Sequence, residues 1–139
     1  MGKARVLFLC TGNSARSQMA EGMLRHLAGD RFEVVSAGTQ PTGLNPLAVE
    51  AMREIGIDIS GHASKNVSQF LGQHFSNVIT VCDNAKESCP IFPFAFRSLH
   101  WDLDDPAAAE GSEEERLQVF RRIRDEIGER VRAFLQGDT

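Results

Sequence analysis

An α/β fold built on a four-stranded parallel sheet is predicted by three features of the sequence. Residues 4–10 and 77–82 are almost wholly apolar, the pattern of strands covered on both faces. Strand-like runs alternate with amphipathic helical stretches, which puts helices on both faces of the sheet. Right-handed crossovers between consecutive strands then give the order 2-1-3-4. The whole chain, 1–139, fits one such domain and is long enough for a core of its own.

Local signals place each element. The first strand is Ala4–Cys10. The first helix is expected over 17–28, with Ala20, Met23, Leu24 and Leu27 on its inward stripe and Gly29-Asp30 as its stop. A short second strand covers 32–36 and runs into Ala37-Gly38-Thr39. After a loop at 39–44, Asn45 caps a second helix with Pro46 at its first position. Leu47, Ala48, Ala51, Met52 and Ile55 form its apolar face, and Gly56 ends it. A polar connection, 57–66, leads to a short helix at 67–71. The third strand is 77–82. Residues 83–87 read as a helical turn or a loop, closed by Cys89-Pro90. The fourth strand lies within 94–101, and 102–109 is acidic, then small. Ser112 and Glu115 make a capping box. The last helix runs on to Leu135, with Leu117, Phe120, Ile123, Ile127, Val131 and Phe134 facing inward.

The formal charge of −4 supplies no general basic field for nucleic acid. No apolar run approaches the ~20 residues of a membrane helix, and the one at 6–9 is too short for a secretory signal. Position 6 lacks the Ser or Thr of a myristoylation motif. The expected setting is cytoplasmic and the expected state a monomer. Three cysteines in that compartment point to catalysis, redox work or metal binding rather than a disulfide framework. His26, His62, His74 and His100 have no ligand-like spacing, so no metal site is expected from them.

In the 2-1-3-4 order strands 1 and 3 are neighbours, ~4.8 Å apart. Cys10 then ends strand 1, Cys82 ends strand 3, and Asp102, Asp104 and Asp105 follow strand 4. All gather at the carboxyl edge, where open α/β sheets bind ligands. The densest signal there is Cys10-Thr11-Gly12-Asn13-Ser14-Ala15-Arg16-Ser17. A buried strand, a loop of small residues and a helix together turn backbone N–H groups into an anion cradle. Gly12 and Asn13 tolerate left-handed backbone. Arg16 adds a planar, permanently charged fork for a tetrahedral oxyanion. Cys10 stands in that field. A free thiol of pKa ~8.5 is only ~3% ionised at pH 7, and a helix N-terminus with an arginine lowers the value into the ~3.5–7.5 range. Ser17 either steadies the thiolate or caps the helix. Any of the three aspartates can serve as an acid; Pro106 holds Asp105 extended and aims it off the strand end. Trp101 is expected in the core rather than in a pocket wall.

The Cys10–Ser17 stretch resembles the phosphate loop of the low-molecular-weight protein tyrosine phosphatases. Nearly the whole chain resembles more closely the arsenate reductases built on that fold. Ser36-Ala37-Gly38-Thr39, Val81-Cys82-Asp83-Asn84 with Cys89-Pro90, and Asp104-Asp105-Pro106-Ala107 carry the closer match. The resemblance implies reduction of arsenate to arsenite in arsenic detoxification, with no bound cofactor. Thioredoxin is the implied reductant, with glutaredoxin and glutathione as the alternative. Cys10 is then the nucleophile toward arsenic. Thr11, Gly12, Asn13, Ser14, Ala15, Arg16 and Ser17 hold the oxygens, Asp105 is the general acid, and Asn13, Ser17 and Ser36 brace the loop. Cys82 next attacks Cys10, Cys89 attacks Cys82, and thioredoxin reduces the Cys82–Cys89 pair.

A phosphatase needs one Cys, an Arg and an acid, and has no use for Cys82 and Cys89. A reductase must supply two electrons, which two thiols can do. The alternatives are a phosphotyrosine-type phosphatase with redox-protecting cysteines, and a non-catalytic thiol sensor or soft-metal binder. A weak phosphatase side activity is expected from the shared loop. One regular helix over 82–89 would rise ~10.5 Å, whereas a disulfide wants Cα atoms ~4.4–6.8 Å apart. That segment is therefore expected to loop out or unwind on oxidation, helped by Asp83, Asn84 and Ser88. Some members of the family place a potassium ion beside the loop, with an acidic side chain where Lys65 falls here. The Lys65 ammonium is expected in the cation's place.

Overall fold

In the computed structural model the described residues are 3–83 and 91–137. β1 (Ala4–Cys10), β2 (Phe32–Gly38), β3 (Phe75–Thr80) and β4 (Ala95–His100) form one sheet in the order β2-β1-β3-β4, every pair parallel. This is the predicted order. β1 lies inside the sheet, and its register sets Cys10 beside Gly38 of β2. On its other side the ladder with β3 runs to Leu9 and Thr80, and the Val81 N–H still donates to the Leu9 carbonyl at 2.8 Å.

The continuous apolar run Val6–Cys10 of β1 serves two cores at once. Val6, Phe8 and Cys10 enter a core with α1 (Arg16–Ala28), α2 (Pro46–Arg53) and α3 (Glu113–Leu135). Leu7 and Leu9 face the other way, against Phe75, Val78 and Phe92, with Val67 and Phe70 of the 3-10 helix Val67–Phe70 packed alongside. Leu7, Phe8 and Leu9 are wholly buried, which contributes about 2–3 kcal/mol each. The six residues predicted to face inward from the last helix are all buried. Trp101 is a core residue, its ring centroid 5.6 Å from that of Phe8.

The caps form as their side chains dictate. Asn45 accepts the Leu47 N–H at 2.9 Å, and Ser112 and Glu115 exchange the two bonds of a capping box. Two predicted inward residues point out instead. Leu27 is 44% exposed because Ala28, four residues after Leu24, takes the inward place in the last turn of α1. Ile55 is 41% exposed because α2 stops at Arg53, so the helical period no longer governs it. β3 begins and ends two residues earlier than predicted, which leaves Cys82 beyond the strand.

The connection predicted as polar buries Ile57 and Ile59. Ile59 fills the space left by Gly22 in the middle of α1, where a Cβ would lie 2.6 Å from the Ile59 Cγ2. The acidic stretch after β4 holds a 3-10 turn, Pro106–Ala108, whose N-cap is Asp105. Cys89, Pro90 and the expected unwinding of 82–89 fall outside the described residues. Among the described residues, no helix is long and apolar enough to cross a membrane.

Candidate active site

The site forms where β1 gives way to α1. Cys10 is the last residue of β1, 2% exposed, and Arg16 is the first of α1. Between them Asn13 takes the left-handed conformation, φ +46°; Gly12, predicted to share that role, does not. The Thr11 carbonyl accepts the Gln40 N–H, the Gly12 carbonyl the Thr42 N–H, and the Ser14 carbonyl the Asn45 N–H, at 2.9–3.0 Å. The Asn13 carbonyl accepts from Gln18 Nε2. In a planar trans peptide the following N–H points opposite the carbonyl. The amides of Gly12, Asn13, Ser14 and Ala15 are therefore turned away from the surrounding chain, and that of Asn13 donates to Cys10 Sγ at 3.1 Å. A hollow of about 240 Å³ opens on this side. It is lined by Cys10, Thr11, Gly12, Ser14, Ala15 and Arg16 of the loop, with Asp105 opposite. That volume suits a small tetrahedral oxyanion held by backbone amides.

Buried polar side chains fix the loop from behind. Asn13 is fully buried; its Nδ2 donates to Ser17 Oγ at 2.8 Å and Ser36 Oγ at 2.9 Å. Its Oδ1 accepts from Gln18 Nε2 at 3.0 Å and from the Lys65 N–H at 2.7 Å. The Ser36 hydroxyl in turn donates to Glu21 Oε1. Ser17 Oγ lies 2.9 Å from Cys10 Sγ. Because Ser17 already accepts from Asn13, its hydroxyl proton is available to the sulfur. Of the two roles predicted for Ser17, capping is excluded: the N-cap of α1 is Ala15, with no side-chain cap bond, and Ser17 lies inside the helix.

Arg16 is 4% exposed, and its Nη1 donates to the Leu103 carbonyl at 3.2 Å. Its Nη2 stands 3.8 Å from Asp105 Oδ1. Of the three candidate aspartates, Asp105 lines the hollow with Cys10. Asp104 pairs with Arg122 at 3.2 Å and Asp102 lies 3.6 Å from His100 Nε2. Asp105 owes its direction to Pro106 and to the Ala107 N–H, which its Oδ1 accepts at 3.0 Å. Cys82 is fully buried and disulfide-bonded, whereas Cys10 is a free thiol. Among the described residues, no group of three or more His, Cys, Asp or Glu is placed to hold a metal ion.

Three contributors escaped the sequence reading. Gln18 and Glu21 are polar yet buried on α1, and the spacing Asn13, Ser17, Glu21, four apart, was the available signal that this face serves the loop. Gly38 is the third: a Cβ there would lie 2.4 Å from the Thr11 carbonyl oxygen and 2.9 Å from the Asn13 N. His62 bridges the same network. Arg25 Nη1, which can only donate, meets its Nε2 at 3.0 Å, so its Nδ1 carries the proton given to Gln18 Oε1 at 3.0 Å. Burial pushes the imidazole below its ordinary range, and the Arg25 and Lys65 charges act the same way, against the pull of Glu21.

Comparison with known proteins covers almost all of this architecture. The family model described as low molecular weight phosphotyrosine protein phosphatase matches residues 5–137. An arsenate reductase of Halalkalibacterium halodurans is 51% identical over 136 residues, 98% of each chain. A solved arsenate reductase in the phosphate-binding state superposes with a TM-score of 0.82 at 32% identity, covering 98% of this chain and 99% of its own. A thioredoxin-dependent arsenate reductase of Corynebacterium glutamicum gives a TM-score of 0.74 at 31% identity, over 97% of this chain and 61% of that one.

Proposed function

We infer that this chain, which belongs to the low molecular weight phosphotyrosine protein phosphatase family and within it to the arsenate reductases, reduces arsenate to arsenite. The observation that carries the reading is the hollow lined by Cys10, Arg16 and Asp105, in a chain 51% identical over 98% of its length to an arsenate reductase.

Arsenate binds in the hollow, its oxygens held by the loop amides and Arg16. Cys10 Sγ attacks arsenic, and one oxygen leaves as water after taking a proton from Asp105. The Cys82 thiolate then attacks Cys10 Sγ. The electron pair of the S–As bond stays on arsenic, which leaves as arsenite, and a Cys10–Cys82 disulfide remains. Cys89 attacks Cys82 and frees Cys10 as a thiolate. Thioredoxin reduces the Cys82–Cys89 pair and itself becomes a disulfide. Ser17 and the Asn13 amide steady the Cys10 thiolate, and Asn13 and Ser36 keep the loop in shape. Glutaredoxin with glutathione is the alternative reductant. The single domain 1–139 supplies the whole catalytic set, and a reducing compartment such as the cytoplasm suits the relay.

Arsenate-dependent NADPH oxidation with thioredoxin and thioredoxin reductase tests this. We expect multiple turnovers in the native chain. Cys82→Ser and Cys89→Ser should each stop turnover while sparing cleavage of an aryl phosphate ester, which needs only the loop and Asp105. Turnover untouched by both changes would defeat the relay, and ester cleavage alone would leave a phosphatase.

A further inference from the structure

Glu21 is a carboxylate whose side chain is only 5% exposed, and two cations, Arg25 and Lys65, approach it. Arg25 Nη2 donates to its Oε2 at 2.6 Å, and His62 Nδ1 lies 3.9 Å from that oxygen. Its Oε1 accepts from Ser36 and faces Lys65 Nζ at 3.7 Å. The Lys65 ammonium also donates to the Ala63 carbonyl at 2.7 Å. Lys65 is joined to the loop a second time through its backbone: its N–H donates to Asn13 Oδ1 at 2.7 Å, and its carbonyl accepts the Gly38 N–H at 2.9 Å. A closed circuit results, from Lys65 to Asn13 to Ser36 to Glu21 and back to the Lys65 ammonium.

A buried carboxylate lacking a nearby positive charge is costly. Oxygens such as Glu21 Oε1, the Ser36 hydroxyl and the Ala63 carbonyl are the donors a hard cation takes. Here that place holds a compact, permanently tethered ammonium instead. The residues present therefore do not fit a potassium ion.

We propose that Lys65 is the built-in cation of this site: its ammonium balances Glu21 and so holds Ser36, Asn13 and the Cys10 loop in place without a monovalent metal ion. Lys65 is a positioning residue and touches no substrate. The proposal goes beyond the reductase reading, since it concerns how the loop is held whatever reaction Cys10 performs.

The test compares potassium, sodium and choline chloride at matched ionic strength. The native protein should show the same kcat/KM in all three. Inorganic phosphate binding to the loop, read by calorimetry, should be equally indifferent; it involves no reductase chemistry, so it stands if the reductase reading fails. Lys65→Met should weaken phosphate binding and kcat/KM by roughly three- to tenfold, the span of a coupling passed through a hydrogen-bonded network. Lys65→Arg should restore both. With the neighbouring charge gone, the His62 imidazole of Lys65→Met should titrate at higher pH by NMR. Lys65→Asp should gain a thermal midpoint that rises with potassium chloride more than with sodium chloride. Specific potassium stimulation of the native protein overturns the proposal. So does a Lys65→Met protein matching the native one in phosphate binding and His62 titration, or a Lys65→Asp midpoint blind to potassium.

Discussion

Asn13, which braces the Cys10 loop from behind, and Asp105, which lines the hollow in front of it, are held in opposite ways. Asn13 is fully buried, with Ser17, Ser36, Gln18 and Lys65 all bonded to its side chain. The Asp105 side chain is 39% exposed, and its Oδ1 has the Ala107 amide and a 3.8 Å approach to Arg16. The cradle that must fit a fixed tetrahedral anion is built into the core, where a displaced atom disturbs several partners at once. The acid, which must meet an oxygen at one moment of the reaction, is hung on a short turn at the surface. Binding geometry and folding stability are thus coupled on the Asn13 side and separable on the Asp105 side.

Substitutions on the two sides test that contrast. Asp105→Asn should lower kcat by about a hundredfold, the usual contribution of a positioned general acid. Its unfolding free energy should move by less than about 1 kcal/mol, because the ion pair with Arg16 is partly exposed and screened. A large loss of stability in urea melts would erase the distinction between the two sides. Asn13→Ala should do the reverse of separating the two quantities. It should cost about 2 kcal/mol of stability, since the Lys65 amide and the Ser36 hydroxyl lose a buried partner, and it should weaken phosphate binding with it. Urea denaturation alongside calorimetry would reveal whether the losses travel together. Ser112→Ala, far from the hollow, should remove about 1 kcal/mol with kcat unchanged.

The smallest effect concerns pH. The folded His62 pKa lies below the unfolded value near 6.5, so the unfolded chain binds this proton first. Stability is therefore unaffected by this group above about pH 6.5 and declines as pH falls from there through the folded value. Urea melts at intervals from about pH 7.5 down to about pH 5 should show this decline, and His62→Gln should flatten it.

Much of the fold was readable because its causes are local. The apolar run of β1, Asn45 ahead of Pro46, and the Ser112–Glu115 pair each specify their own neighbourhood. The edge of the sheet where Cys10, Arg16 and Asp105 line one hollow followed from strand order alone. What stayed hidden acts at a distance. Glu21 and Gln18 read as ordinary helix surface, since nothing near them in sequence reveals that Asn13, Ser36 and Ala63 cover them. Leu27 and Ile55 were misplaced because helical periodicity carries no information about where the sheet or the helix ends. Of the two residues expected to accept left-handed backbone, Gly12 and Asn13, only Asn13 adopts it, with its side chain anchored on four sides.

Gly38 matters to anyone who would move this chemistry elsewhere. Its missing side chain lets β2 press its end against Thr11 and Asn13. A seven-residue graft of 10–16 onto another parallel sheet would arrive without that hollow in the adjoining strand. Any host residue larger than glycine at the corresponding site would push the backbone outward and open the anion cradle. The transferable unit is two strand ends in register, one ending in cysteine and the other in glycine.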